Sequence, residues 1–122
     1  MIITSVQIRD TKTETRLEGV ASVTFDNMIV IHDIKIISNT EGGYFLAMPS
    51  RRLPNGTFKD IAHPISKEAR GAVESVCIGL FEVMKRENAE IISFELSAGA
   101  AAASMVEQKA EDFVIRPVPA AE

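Results

Sequence analysis

Between Ser66 and Arg86 the hydrophobic period of the chain changes. Apolar residues recur at Ala69, Val73, Val76, Cys77, Leu80, Phe81 and Met84, and spacings of three and four place them on one helical stripe. Lys67, Glu68, Arg70, Glu74, Glu82, Lys85 and Arg86 fall mainly off that stripe. Ser66, just after Pro64, suits an N-cap, because its hydroxyl can accept from a first-turn N–H. A helix of about 20 residues is roughly 30 Å long, enough to cross a whole sheet. Gly71 and Gly79 fall within it at a cost of about 1 kcal/mol each against Ala. Gly79 lies away from the stripe, and periodicity gives it no role.

Before Ser66 the period is two, which marks strands with one buried face. Ile2, Thr4, Val6 and Ile8 oppose Ser5, Gln7 and Arg9. Leu17, Gly19, Ala21, Val23 and Phe25 oppose Glu18, Ser22 and Thr24, and the small residues in that inner row imply a closely packed neighbour. Asp26-Asn27 suits a two-residue hairpin turn, since both types tolerate positive φ. In Met28–Ser38, alternation groups Met28, Val30, His32, Ile34 and Ile36 against Ile29, Ile31, Asp33, Lys35 and Ile37. Apolar residues on both faces suggest a central strand, or one covered by a partner. Asn39–Gly43 reads as a turn and Tyr44–Met48 as a fourth strand. Thr57–Ile61 is a short extended piece that pairs at an edge or forms an arm. In Glu90–Leu96, Ile92, Phe94 and Leu96 alternate with Ser93 and Glu95, as in a short strand, with helix as the other option.

The expected fold is therefore α+β: an antiparallel meander of four to five strands with one long helix packed on it, and a variable C-terminal tail. Residues 1–97 form the domain and residues 98–122 the tail. Gly99–Phe113 is alanine-rich and compatible with helix, although Met105 and Val106 give it only a thin apolar face. Val114–Glu122, with two prolines, is expected to be disordered.

The chain is acidic overall, with a formal net charge of −4, which argues against nucleic-acid binding by the whole surface and leaves it to a local basic patch. The N-terminus lacks the basic-then-apolar pattern of a signal peptide, and no apolar run is long enough to span a membrane. A cytoplasmic location is expected. The single cysteine, Cys77, excludes an intrachain disulfide, and its place on the stripe marks a buried thiol.

Catalysis finds little support. The titratable candidates are His32, Asp33, Asp60, His63 and Cys77. Strict alternation sends His32 and Asp33 to opposite faces, so they form no dyad. His63 reads best as a turn residue bonded to backbone, and an enzyme would need it to converge with Asp60 in a pocket. Two histidines and one cysteine scattered over strand, loop and helix do not make a metal site. There is no glycine-rich phosphate loop, and neither a cofactor nor a small-molecule substrate is expected.

The stretch Tyr44–Arg70 is different. Arg51, Arg52, Lys59, Lys67 and Arg70 face only Asp60 and Glu68 there, a local excess of three positive charges. Arg51-Arg52 lie between Pro49 and Pro54, and Asn55-Gly56 turns the chain back so that Lys59 can lie beside them. Projecting cations suit phosphate contacts, so this is a candidate basic finger. The competing reading is a solvated turn whose charges keep an edge soluble. Phe58 is its one aromatic residue, few for base stacking.

The run AMPSRRLPNGTFKDIAHPIS, residues 47–66, resembles the signature of the SpoVG family, the stage V sporulation protein G or septation protein group of bacteria. Val30–Ile37 (VIHDIKII) resembles that family's VHDIRVI strand, and Ala21–Asp26 (ASVTFD) its ASITLD strand. The resemblance covers roughly residues 1–96 and does not reach the tail. It implies a homodimeric, non-enzymatic, site-selective DNA-binding and RNA-binding regulator tied to sporulation, septation and gene expression. It also implies that Arg51, Arg52 and Lys59 contribute to nucleic-acid contact, with Arg70 a weaker candidate. Glu68 near the helix start departs from the family's usual polar pair and would repel a phosphate there. A structural or adaptor protein acting through the same loop is the alternative. The strand Met28–Ile37 and the run Tyr44–Met48 are where a partner surface is expected, through sheet-edge pairing.

Overall fold

A computed structural model describes residues 1–100 and 103–117. The chain runs β1 (Ile3–Asp10), β2 (Leu17–Phe25), β3 (Ile29–Ser38), β4 (Tyr44–Ala47), β5 (Ser50–Arg52), β6 (Phe58–Asp60), α1 (Lys67–Arg86), β7 (Ile91–Leu96) and β8 (Phe113–Arg116). Two single 3-10 turns, Met105–Glu107 and Ala110–Asp112, precede β8. Six strands form one antiparallel sheet in the order β4-β3-β2-β1-β7-β8, and β5 and β6 form a separate two-stranded ribbon. The α+β class is as expected. The sheet has six strands rather than four to five, because β8 adds an edge that no sequence pattern announced.

The helix lies across one face of the sheet. Val73, Val76, Cys77, Leu80, Phe81 and Met84 meet Val6, Ile8, Ala21, Val23, Ile34, Ile36 and Phe94 in a single core. Ser66 caps the helix as expected, its Oγ accepting from the Ala69 N–H at 3.1 Å. The small inner row of β2 has its reason here. A Cβ placed on Gly19 would lie 3.0 Å from the Phe81 ring, so glycine lets the helix approach. Tyr44 closes the other side of that ring edge-on, with centroids 5.2 Å apart. Asp26 and Asn27 both take positive φ, as a tight hairpin of right-twisted strands requires.

Among the described residues three register shifts interrupt strict alternation, between Ile3 and Ser5, between Leu17 and Gly19, and between Ala21 and Val23. The first puts Ile3, not Ile2, in the core. The last is a bulge in β3, where Ile31 pairs with Val23 and Ile34 with Ala21, leaving two residues opposite one. Asp33 takes φ +62° at that bulge. The bulge corrects the face assignment of the strand. Ile29 and Ile31 pair with the inward-facing Phe25 and Val23, and beyond the bulge Ile34 and Ile36 are buried. Val30 and His32 instead border the open face of the sheet.

The C-terminal segment also differs from expectation. Val114, Ile115 and Arg116 belong to a strand paired with β7 rather than to a disordered tail. Residues 103–112 hold two short turns rather than a helix. The rest of the disorder assigned to the tail, residues 118–122, lies outside the described residues. Gln108 is 3% exposed, and its amide clamps the backbone of Ile3: the Ile3 N–H donates to Oε1 at 2.7 Å and Nε2 donates to the Ile3 carbonyl at 2.8 Å. Phe113 enters the main core. Ala110 explains Gly79, because a Cβ at residue 79 would lie 2.7 Å from that of Ala110. The glycine is required by Ala110, in a segment distant along the chain, which helix periodicity could not reveal.

Candidate nucleic-acid interface

The ribbon projects between β4 and α1, and local chemistry shapes it. Pro54 and Asn55 form the turn, and Gly56 takes φ +89°, where glycine is preferred. The Gly56 N–H donates to the Leu53 carbonyl at 2.9 Å, and the Leu53 N–H to the Thr57 carbonyl at 2.7 Å. This is a type I turn with a glycine bulge, a common three-residue hairpin loop. Asn55 Oδ1 accepts from both the Thr57 N–H and hydroxyl, at 3.0 and 2.7 Å. At the base, the Ile61 N–H donates to the Pro49 carbonyl at 2.7 Å.

The register sets which charges meet. Ser50 pairs with Asp60, Arg51 with Lys59, and Arg52 with Phe58. Directly paired residues share a face and successive ones alternate. Arg51 and Lys59 therefore stand together on one face, while Arg52 and Phe58 share the other. All six strand residues are exposed. Among the described residues none of the three cations makes an ion pair. Like charges directly opposite destabilise a strand pair, so the ribbon carries Arg51 against Lys59 at some cost to itself.

Arg70 is placed differently. It lies in the first turns of α1, where Nη2 donates to the Leu46 carbonyl at 3.2 Å and Nε lies 3.9 Å from the Glu74 carboxylate. Its guanidinium ties the helix to the edge strand β4. The structure thus joins Arg51 with Lys59, turns Arg52 to the other face and engages Arg70 in packing.

Among the described residues neither histidine is hydrogen-bonded or ion-paired to a carboxylate. His63 Nδ1–H donates to the Pro64 carbonyl at 3.0 Å, the turn role expected of it. The β3 bulge corrects the placement of His32 and Asp33: both border clefts on the open sheet face, over Ser22. Ser22 Oγ and His32 Nδ1 lie 2.9 Å apart, a contact the sequence did not signal because the bulge that creates it has no motif. Among the described residues no carboxylate hydrogen-bonds that imidazole, and no group of three potential metal ligands converges. Burial pushes the Cys77 thiol from 9.0 up to about 12, which suppresses the nucleophilic thiolate. No described helix is long and apolar enough to cross a membrane.

Comparison with known proteins bears on the architecture from β1 through most of α1. The SpoVG family model matches residues 1–83. A protein of Clostridium novyi (strain NT), named "Putative septation protein SpoVG", is 48% identical over 87 residues, covering 71% of this chain and 86% of that protein. Its namesake in Caldicellulosiruptor bescii is 50% identical over 84 residues, covering 69% and 94%. The one in Thermoanaerobacter sp. (strain X514) is 46% identical over 89 residues, covering 73% and 96%. The family match spans the first four strands, the finger formed by β5 and β6, and most of the helix, and the chain belongs to the SpoVG family.

Proposed function

We propose that this chain is a non-enzymatic, site-selective DNA-binding and RNA-binding regulatory protein that acts as a homodimer and is linked to sporulation, septation and gene expression. Family membership supports the septation and sporulation link, and no SpoVG relative named above carries the name of an enzyme. The observation that carries the binding reading is the pair Arg51–Lys59, two exposed cations set face to face with no acidic partner among the described residues. Such a pair repels itself and attracts a phosphate. With an overall charge of −4, binding is confined to the finger, and two-fold symmetry would present two fingers to one ligand.

Salt dependence tests this. Each neutralised phosphate contributes about −0.9 to the slope of log K against log salt on duplex DNA, so three cations give a slope no steeper than about −3 and two fingers about −5. Fluorescence anisotropy with DNA and RNA oligonucleotides at several salt concentrations measures it. Arg51→Ala/Lys59→Ala should lose affinity and flatten the slope while circular dichroism stays unchanged. Equal binding by the double variant would remove the finger from the site.

A second reading has its own support. Ile61 and Ile65, just after the finger, are 66% and 93% exposed, apolar surface that would suit an adaptor contacting another protein. Such contacts are insensitive to salt, so affinity for a protein partner that persists at high salt, with no oligonucleotide binding at low salt, would favour it.

A further inference from the structure

The finger has two chemically different faces. One holds Arg51 and Lys59, and the other holds Arg52 and Phe58. Phe58 is 70% exposed, whereas Phe25, Phe81, Phe94 and Phe113 are at most 7% exposed and Phe45 is 40% exposed. Among the described residues its ring stacks on no other ring and lies under no cation. Burying a phenylalanine side chain is worth roughly 1.5–3 kcal/mol, and the ribbon, which lies outside the main sheet, leaves this one in water. The turn geometry does not require it, since Pro54, Asn55 and Gly56 set the loop and Thr57 takes the Asn55 hydrogen bonds.

A phenyl ring has no hydrogen-bonding group, so it cannot read a base edge in a groove as Arg, Asn or Gln can. It can stack on the face of a base, and a duplex hides those faces in its own stack. An unpaired strand offers them freely. The guanidinium of Arg52, on the same face, adds a second planar group suited to stacking.

Resting on the nucleic-acid reading above, we propose that the finger selects single-stranded over duplex nucleic acid, with Phe58 and Arg52 stacking on an unpaired base while Arg51 and Lys59 hold flanking phosphates. The selectivity comes from the cross-strand register. A shift of one residue would mix ring and cations on each face and abolish the division.

The test uses the full chain, a fluorescent 12-nucleotide single strand and a duplex of the same sequence. Wild type should bind the single strand more tightly. Base–aromatic stacking is worth about 1–3 kcal/mol per base, so Phe58→Ala should lose about tenfold or more on the single strand and change duplex binding far less. Phe58→Leu keeps an apolar side chain without a ring and should not recover the loss. The chain contains no tryptophan, so Phe58→Trp makes a lone indole reporter. It should restore affinity and be quenched by the single strand, but not by a strand of the same length made abasic. Because Phe58 is exposed, thermal melts of all three variants should match wild type. Equal loss on duplex and single strand, recovery by leucine, or no effect of Phe58→Ala on measurable binding would overturn the stacking role and leave the finger's phosphate contacts intact. Absence of binding by wild type to either ligand would overturn the nucleic-acid reading itself, and this proposal with it.

Discussion

The finger, residues 50–60, and the C-terminal segment, residues 103–117, are both additions to the same helix-covered sheet, and they differ in whether distant buried contacts anchor them. The finger is shaped by neighbours in sequence: Pro54 and Asn55 in its turn, Gly56 at φ +89°, and a side-chain cap from Asn55 to Thr57. None of its strand residues is buried. The C-terminal segment has local caps too, the Ser104 N–H donating to the Glu107 carboxylate at 3.0 Å and the Lys109 N–H to the Asp112 carboxylate at 2.9 Å, but these shape only its two single turns. It is anchored by Gln108 on Ile3, 105 residues earlier, by Ala110 against Gly79, and by Phe113 in the core. A segment held by its own turn can be stripped of side chains without unfolding, and its charges are free for a ligand. A segment held by distant contacts shares the stability of the whole domain.

That contrast can be broken most directly at phenylalanine. Phe113→Ala empties a core position and should cost about 3 kcal/mol, seen as a lower urea midpoint, whereas Phe58→Ala should leave the midpoint within about 0.5 kcal/mol. Gln108→Ala comes next. It leaves the N–H and carbonyl of Ile3 buried without their partner, for a loss of about 2 kcal/mol in the same measurement. A thiol probe sharpens the comparison. Native Cys77 is fully buried, so at pH 8 it should react with an aromatic disulfide reagent only through unfolding. Phe113→Ala should speed that reaction by roughly 100-fold where labelling follows the open population, and finger variants should not. Because the thiol is raised from 9.0 to about 12, its contribution to stability is complete below pH 9 and falls away as pH rises toward 12.

Gly79 gives a smaller and more diagnostic effect. Alanine there gains about 1 kcal/mol of helix propensity but sets a Cβ 2.7 Å from that of Ala110. Gly79→Ala should therefore destabilise the wild type and stabilise an Ala110→Gly background, a change of sign measurable by thermal melts. The smallest stability effect belongs to the finger. Arg51→Ala/Lys59→Ala removes a repulsive cross-strand pair and should raise stability by a few tenths of a kcal/mol at most, as read by the urea midpoint. A large destabilisation would mean that these cations support the fold, and the contrast between the two segments would fail.

Features that depend on neighbours along the chain were legible in the residue order. The 3.6-residue stripe from Ala69 to Met84, the cap at Ser66, the Asp26-Asn27 turn, the finger with its Asn55-Gly56 tip, and the burial of Cys77 all follow from short spacings and residue types. The α+β class follows from their order. The motif from Ala47 to Ser66 also carried the family. Tertiary structure decided what depends on pairing. The bulge at His32-Asp33 reassigns faces within β3 and creates the Ser22–His32 contact. The cross-strand register divides the finger into a cationic face and an aromatic one. Arg70 is drawn into a bond with Leu46, although its sequence context grouped it with the other cations. The strand Phe113–Arg116 forms because an open sheet edge and a buried clamp await it. Local pattern encodes periodicity and turns, because those arise within a few residues. Register, bulges and docked segments arise from contacts between residues far apart in sequence, and one added residue in a strand is enough to change which face a side chain takes.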